Sequence, residues 1–279
     1  MRGVVWCVLA VIGINAIVAA GPASASMAAA NQSYRPAIAS VLPTRGEVVG
    51  VAHPVVVTFR APVADRRAAE RTLDIRSVPA MTGKFEWLDN DVVQWVPDRY
   101  WPAHSTIALS VDRSSTDFET GPAVVGVANI SDHTFTVTID GVDSGPPSVL
   151  PAPHHRPHWG EEGVFPASMG RPEYPTPVGT YTVLSKERDV VMDSSSVGIP
   201  VDAPDGYLLD VEYAVRITSR GLFVHSAPWA VNSLGYENVS HGCISLSPED
   251  AEWYFNTVNV GDPVIVQENS IEVPRTVSD

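Results

Sequence analysis

The stretch "FVHSAPWAVNSLGYENVSHGCISLSPEDAEWYF", residues Phe223–Phe255, holds two of the chain's eight histidines and one of its two cysteines. His225 ends a run of β-branched and apolar residues that predicts a strand. Ser247–Asn256 predicts a helix, because it begins with Ser at the N-cap, Pro at the first helical position and acids in the first turn. Cys243 therefore lies between a loop rich in Asn, Ser and Gly and the start of a helix.

Three roles for Cys243 are compatible with this pattern. As a zinc ligand with His225 and His241 it would need a fourth ligand, and the sequence places none. As an inert buried side chain it would normally lie inside an apolar strand, whereas "SHG" precedes it and a helix cap follows closely. As a nucleophile it would use His225 as its base, and an imidazolium beside the sulfur would favour the reactive thiolate. The pattern favours the nucleophile.

The glycine before the cysteine supports the same interpretation. Gly242 lets the backbone approach a bound substrate closely. The amide N–H groups of Gly242 and Cys243 are therefore predicted to face the oxyanion that forms when a sulfur attacks a carbonyl.

The region upstream of this stretch predicts an Ig-like β-sandwich. Short β-branched runs are separated by Pro, Asn, Asp and Gly, as in all-β domains. These runs are His53–Phe59, Thr72–Val78, Gly83–Leu88, Asp91–Pro97 and Thr106–Asp112. Ala64–Arg71 is helix-prone and is predicted to form a short connecting turn. Trp87 and Trp95 are expected in the sandwich core, because buried aromatic residues usually serve packing.

A second β-rich domain is predicted after a polar junction at residues 113–125. Its predicted strands are His133–Asp140, Gly179–Lys186, Ala214–His225 and Asp262–Glu268. The expected fold class is mainly β, with an N-terminal Ig-like sandwich, a β-rich catalytic domain and a short helix after the cysteine. The expected domains are a signal peptide or membrane anchor (1–25), a linker (26–40), the Ig-like domain (41–122), the catalytic domain (123–268) and a tail (269–279).

The N-terminus predicts export to the cell envelope. Arg2 precedes an apolar run, Val4–Ala20, and Ala23–Ala25 fits the small-x-small pattern of a cleavage site. An uncleaved membrane anchor is the alternative, because the run is nearly long enough to span a bilayer. Cleavage would remove Cys7 and leave one cysteine, and an unpaired thiol in an exported protein indicates a reactive residue. The formal net charge of −14 argues against a nucleic-acid partner.

The segment Ser144–Gly163 is rich in proline and carries His154, His155 and His158. Close histidines are one signature of metal binding. Prolines between them favour an extended backbone, however, which does not bring ligands together. The segment is therefore predicted to be a surface loop.

Several motifs resemble the L,D-transpeptidase (YkuD catalytic domain) family. "SHGCISL", Ser240–Leu246, resembles the family's S/T-H-G-C signature, and Ala167–Val183 resembles its S-x-G…TP-x-G segment. Val191–Trp229 is similar to the lid and substrate groove of actinobacterial members. "GVAHPVVVTF" and "FEWLDNDVVQWVPDRYW" resemble their Ig-like domain. The resemblance covers about residues 45 to 268.

The resemblance implies roles for individual residues. Cys243 would be the nucleophile, His225 its base, the Ser226 carbonyl the group that orients the imidazole, and His241 a supporting partner. Tyr207 would join Gly242 and Cys243 in the oxyanion hole. Substrate contacts would come from Met192, Trp229, Ser240 and Ser245, although Met192 and Trp229 are also ordinary packing residues. Ser245 departs from the Asn or Arg that is common in the family, and Val197 from the Tyr of close relatives.

The resemblance also implies a reaction. The protein would join peptidoglycan stem peptides, a donor tetrapeptide and an acceptor amine, into 3→3 cross-links, and it would release D-Ala through a thioester. Carbapenem β-lactams would acylate it, and no metal or organic cofactor would be required. Carboxypeptidase, exchange or protein-anchoring activity remains an alternative, and so does a non-catalytic glycan-binding module.

Overall fold

A computed structural model describes residues 35–112, 114–150 and 160–268. The predicted signal or anchor, the C-terminal tail and the three histidines of the proline-rich segment lie outside these residues. Within them, both helices are too short to cross a membrane.

The described residues form mainly strands. The strands are β1 (Ile38–Leu42), β2 (Val48–Val49), β3 (Val55–Phe59), β4 (Ile75–Val78), β5 (Gly83–Trp87), β6 (Val92–Pro97), β7 (Thr106–Val111), β8 (Ser114–Thr120), β9 (Val124–Asn129), β10 (Thr134–Ile139), β11 (Val142–Asp143), β12 (Val164–Pro166), β13 (Gly179–Thr182), β14 (Ser185–Asp193), β15 (Leu208–Arg216), β16 (Phe223–Ser226), β17 (Ile244–Leu246) and β18 (Pro263–Gln267). The helices are α1 (Arg66–Thr72) and α2 (Pro248–Thr257), with 3-10 turns at Ser194–Val197 and Pro228–Ala230.

The first domain is the predicted Ig-like sandwich. Its two sheets have the strand orders β1-β3-β6-β5 and β2-β8-β7-β4. Alternate residues of β3 and β7 are buried, which is the pattern of strands with one face on a core. Trp95 belongs to that core and Trp87 packs against it, so the expectation for both tryptophans is confirmed.

The second domain joins two sheets across a helix. One sheet has the order β11-β10-β9-β18-β13, with β12 also paired to β10, and the other has the order β14-β15-β16-β17. Ala251 and Tyr254 of α2 are buried in one hydrophobic cluster with residues of both sheets. The predicted helix is confirmed, and the Ser247 hydroxyl accepts a hydrogen bond from the Asp250 amide at its N-cap. This helix holds the sheet that contains β16 and β17 against the rest of the domain.

Several local predictions were wrong. Gly179–Lys186 is not one strand but β13 and the start of β14, which lie in different sheets. Ala64–Arg71 overlaps a true helix, α1, because the Asp65 side chain caps it by accepting from the Ala68 amide. Ala214–His225 is not one strand but parts of β15 and β16, since Gly221 with φ +93° allows a reversal between them.

The predicted polar junction at residues 113–125 is mostly strand as well. It contains β8, which pairs with β7, and the start of β9. Some polar residues of β8 are exposed, whereas Phe118 is fully buried. One face of the strand therefore packs on the core. The linker expected at 26–40 lies mostly outside the described residues, and residues 38–40 begin β1.

A short loop of the Ig-like domain docks on the catalytic domain. The amides of Gly50 and Ala52 donate to the carbonyls of Val260 and Gly261, both at 2.8 Å. The Val51 amide donates to the carboxylate of the fully buried Asp262. These bonds join the two domains through the turn that precedes β18.

Candidate active site

Two adjacent parallel strands position the histidine and the cysteine. β16 pairs with β17 so that Val224 lies beside Ile244 and His225 beside Ser245. Cys243 directly precedes β17, and the same register places it beside Phe223. Because side chains alternate along a strand, His225 and Cys243 occupy diagonal positions on one face. The loop between them folds back, as the nucleophile interpretation requires.

His225 is held in one orientation. Its side chain is buried, with 4% of the residue exposed, and Nδ1 donates to the Ser226 carbonyl oxygen at 2.7 Å. A carbonyl only accepts, so the proton of the neutral ring lies on Nδ1 and Nε2 has a free lone pair. Burial lowers the pKa of His225, although the bond to Ser226 partly opposes this effect. The imidazole is therefore a neutral base at neutral pH.

Cys243 is partly buried. Its thiol donates to the Gly221 carbonyl oxygen at 3.6 Å. Burial raises its pKa to about 11, and the Phe223 backbone and the charge of Arg216 oppose the rise. The expected imidazolium–thiolate pair thus differs from the structure, where burial favours a neutral thiol beside a neutral imidazole.

The loop before the cysteine is fixed by hydroxyl groups. Thr176 Oγ1 donates to the Gly242 carbonyl at 2.6 Å and accepts from the Gly170 amide at 2.8 Å. Ser240 Oγ donates to the Cys243 carbonyl at 2.6 Å and accepts from the Gly242 amide at 3.1 Å. Gly242 has φ +119°, which side-chain-bearing residues rarely adopt. Its amide is engaged within the loop, so an oxyanion role for Gly242 requires that the Ser240 contact break.

His241 is surrounded by Tyr207 and by three side chains that the sequence analysis did not name, Arg171, Tyr174 and Asp205. Its ring centroid lies 4.9 Å from those of Tyr174 and Tyr207. Arg171 donates to His241 Nε2 at 3.1 Å and to the Asp205 carboxylate at 2.5 Å. Burial and then the charge of Arg171 lower the pKa of His241. Arg171, Tyr174 and Thr176 fall in the segment that resembles the family motif, and only that resemblance could have indicated them.

The remaining predicted residues have different surroundings. Burial raises the pKa of Tyr207, and its ring packs against that of His241, two residues before the cysteine. Trp229 is half exposed and stacks on the His225 ring at 6.1 Å. Met192 is half-buried in β14, opposite Leu209. Ser245 is 3% exposed, and its backbone bonds to Ser168, so a substrate contact would require it to become accessible.

A cleft of about 410 Å³ opens beside Ser226 and Trp229, and neither His225 nor Cys243 lines it. Ser226, Pro228 and Trp229 form one side of it, and β14 and β15 form the other. The cleft is large enough for part of a peptide. Among the described residues, no group of three or more His, Cys, Asp or Glu side chains is arranged to hold a metal ion.

Comparisons with known proteins agree with this architecture. Residues 153–266 match the model of the L,D-transpeptidase catalytic domain, and residues 19–117 match that of a bacterial Ig domain. The chain is 74% identical over 271 residues to "Probable L,D-transpeptidase 3" of Mycobacterium tuberculosis, covering 96% of this chain and 100% of that protein.

Solved structures are similar over most of the chain. The crystal structure of L,D-transpeptidase 3 from M. tuberculosis in complex with a faropenem-derived adduct has a TM-score of 0.78 and 76% identity, covering 83% of this chain and 98% of that one. The structure of LD transpeptidase LdtMt1 in complex with imipenem has a TM-score of 0.74 and 52% identity, covering 83% and 99%. The chain therefore belongs to the L,D-transpeptidase family of enzymes, with an Ig-like domain before its catalytic domain.

Proposed function

We propose that this enzyme forms 3→3 cross-links between peptidoglycan stem peptides through a thioester on Cys243. The observation that carries the proposal is His225, oriented by the Ser226 carbonyl and placed one strand away from the half-buried thiol. A base and a nucleophile in this arrangement are the minimum for covalent acyl transfer. A binding module has no use for such a pair.

In the first half-reaction the sulfur attacks the carbonyl between the diamino acid and the terminal D-Ala of a tetrapeptide. Because the thiol is neutral, its proton moves to Nε2 of His225 as the carbon–sulfur bond forms. The amide of Cys243 and the phenol of Tyr207 would donate to the oxyanion. The imidazolium then protonates the amine of D-Ala, the carbon–nitrogen bond breaks, and a thioester remains.

In the second half-reaction the side-chain amine of a neighbouring stem attacks the thioester. His225 takes a proton from that amine and returns one to the departing sulfur. The products are a new amide and the original thiol. In this proposal the cleft beside Trp229 would receive one of the two peptides.

The same nucleophile would react with β-lactams. A strained lactam carbonyl resembles the scissile amide, and ring opening leaves the product attached because no fragment departs. The faropenem-derived adduct and the imipenem complex of the two relatives support acylation of this chain by penems and carbapenems.

The enzyme would act in the cell envelope, where its substrate lies. The predicted signal or anchor at residues 1–25 supports export. In this arrangement the Ig-like domain is a spacer between the membrane and the catalytic domain.

Incubation of the purified enzyme with tetrapeptide stems tests the proposal. We expect a dimer whose mass equals two stems minus one D-Ala, together with free D-Ala, and neither product from Cys243→Ala. Tripeptide and D-Ala without dimer would indicate a carboxypeptidase instead. Retention of stems without any reaction would indicate a binding module.

A further inference from the structure

An ion pair fastens a loop over the candidate active site. Residues 194–207, here called the flap, connect β14 to β15. The flap closes on itself, because the Ser194 amide donates to the Tyr207 carbonyl and the Tyr207 amide donates to Ser194 Oγ, both at 3.0 Å. The Asp205 side chain, two residues before Tyr207, reaches the body of the domain.

Arg171 is anchored to the cysteine loop on the other side of this contact. Its amide donates to the Ser240 carbonyl at 3.0 Å, and its guanidinium lies 4.8 Å from the Tyr174 ring centroid. The guanidinium donates to Asp205 and to His241, and it also lies 3.7 Å from Glu173. Arg171 therefore links the flap to the backbone that carries the nucleophile.

Further contacts converge on the same aspartate. The Tyr174 hydroxyl donates to the Asp205 carboxylate at 3.4 Å, and the Asp205 backbone accepts a hydrogen bond from His241. The rings of Tyr174 and Tyr207 lie at equal distances from the His241 ring. Movement of Asp205 away from Arg171 would thus remove the Tyr207 ring from its place beside His241.

We propose that Arg171 and Asp205 are positioning residues, which hold the flap so that the Tyr207 phenol faces the reacting carbonyl. The proposal rests on the function proposed above, because it assigns Tyr207 a role in acyl transfer. The Asp205 side chain is 52% exposed. An ion pair this exposed adds little to folding stability, so its main effect is on geometry.

Two reactions of Cys243 distinguish a loss of Tyr207 positioning from a general loss of cysteine reactivity. Acylation by imipenem requires an oriented oxyanion donor, whereas alkylation by iodoacetamide requires an accessible thiolate but no oxyanion donor. We expect imipenem to acylate Asp205→Asn at least about tenfold more slowly than it acylates the wild type. Its alkylation rate should be at least that of the wild type, and its melting temperature should not change. Asp205→Glu keeps the carboxylate and should acylate faster than Asp205→Asn.

Asp202→Asn is the matched control. Asp202 lies in the same flap, is exposed, and makes no hydrogen bond or ion pair with the described residues, so its loss removes the same charge without the contact. The proposal is overturned if Asp205→Asn acylates as fast as Asp202→Asn, or if its acylation and alkylation fall together. A wild-type enzyme that iodoacetamide alkylates but imipenem does not acylate would overturn the proposed function as well.

Discussion

At the scale of single residues, burial decides the chemistry of the cysteine. Burial raises the pKa of Cys243 to about 11 and lowers that of His225. Both shifts disfavour the charged forms, so neutral thiol and neutral imidazole are the resting state. In the proposed mechanism the thiol proton would therefore move to Nε2 of His225 during attack, and the Nδ1 contact with Ser226 leaves that nitrogen free.

The pH dependence of alkylation distinguishes a neutral pair from an ion pair. With a raised thiol pKa, the thiolate fraction grows about tenfold per pH unit from about pH 6 to 10. We therefore expect the rate with iodoacetamide to rise throughout this range in the folded enzyme. In the unfolded protein, where the cysteine has an ordinary pKa, the alkylation rate should level off at a lower pH. A rate in the folded enzyme that is constant from about pH 6 would show a thiolate–imidazolium pair.

The buried histidine also affects stability. A neutral His225 in the fold binds fewer protons than the unfolded chain once the pH falls below the ordinary imidazole value of about 6.5. Its contribution to the free energy of unfolding is therefore complete above that value and decreases as the pH is lowered through it. Urea titrations at several pH values should show that the free energy of unfolding falls less on acidification in His225→Gln than in the wild type. An equal decrease in the free energy of unfolding of both proteins would contradict the lowered pKa of His225.

The sequence indicated a candidate nucleophile and a candidate base but not their surroundings. Cys243 and His225 were identifiable because a lone thiol and a strand-terminal imidazole stand in a distinctive segment. Arg171 and Asp205 lie 34 residues apart and meet through tertiary folding, so no local pattern indicated their contact. The pKa directions likewise depend on burial, which spacing alone does not determine.

At the scale of elements, the conformation of the cysteine loop depends on Thr176. Its hydroxyl joins the Gly170 amide to the Gly242 carbonyl in a buried site. Thr176→Val keeps the shape but leaves both backbone groups unpaired. We expect a loss of about 1–3 kcal/mol in the free energy of unfolding and slower imipenem acylation.

Thr176→Ser is the control, since it retains the hydroxyl. It should stay closer to the wild type than Thr176→Val in both denaturant titration and acylation rate. If Thr176→Val were as stable and as fast as Thr176→Ser, the bridge would have no role in holding the loop.

Elements with strong local signals were predicted well, and those that depend on tertiary pairing were not. β6 and β7 follow from runs of β-branched residues, and α2 follows from its cap. β8 was missed because its sequence "SSTDFET" is mostly polar, and its strand conformation comes from pairing with β7. The split between β15 and β16 depends on one short turn inside an otherwise strand-like run.

At the scale of the whole molecule, the domains share a tight junction. A Cβ at Gly50 would lie 2.1 Å from the Asp262 backbone nitrogen, a separation that neither backbone can relieve without moving. Gly50→Ala should therefore lower the free energy of unfolding by about 1–3 kcal/mol. It should also speed proteolysis near residues 121–123, between β8 and β9.

Val48→Ala serves as the comparison, because Val48 is exposed and lies in β2, two residues away. It should change stability by less than about 0.5 kcal/mol. Equal stability and equal protease resistance of Gly50→Ala and Val48→Ala would show that the two domains are not fastened at this loop.

Intact-mass spectrometry with imipenem tests whether Cys243 is a nucleophile served by His225. We expect one adduct on the wild type, none on Cys243→Ala, and acylation of His225→Gln that is slower by about 10²–10⁴-fold. An adduct on Cys243→Ala, or His225→Gln acylating at the wild-type rate, would contradict that assignment.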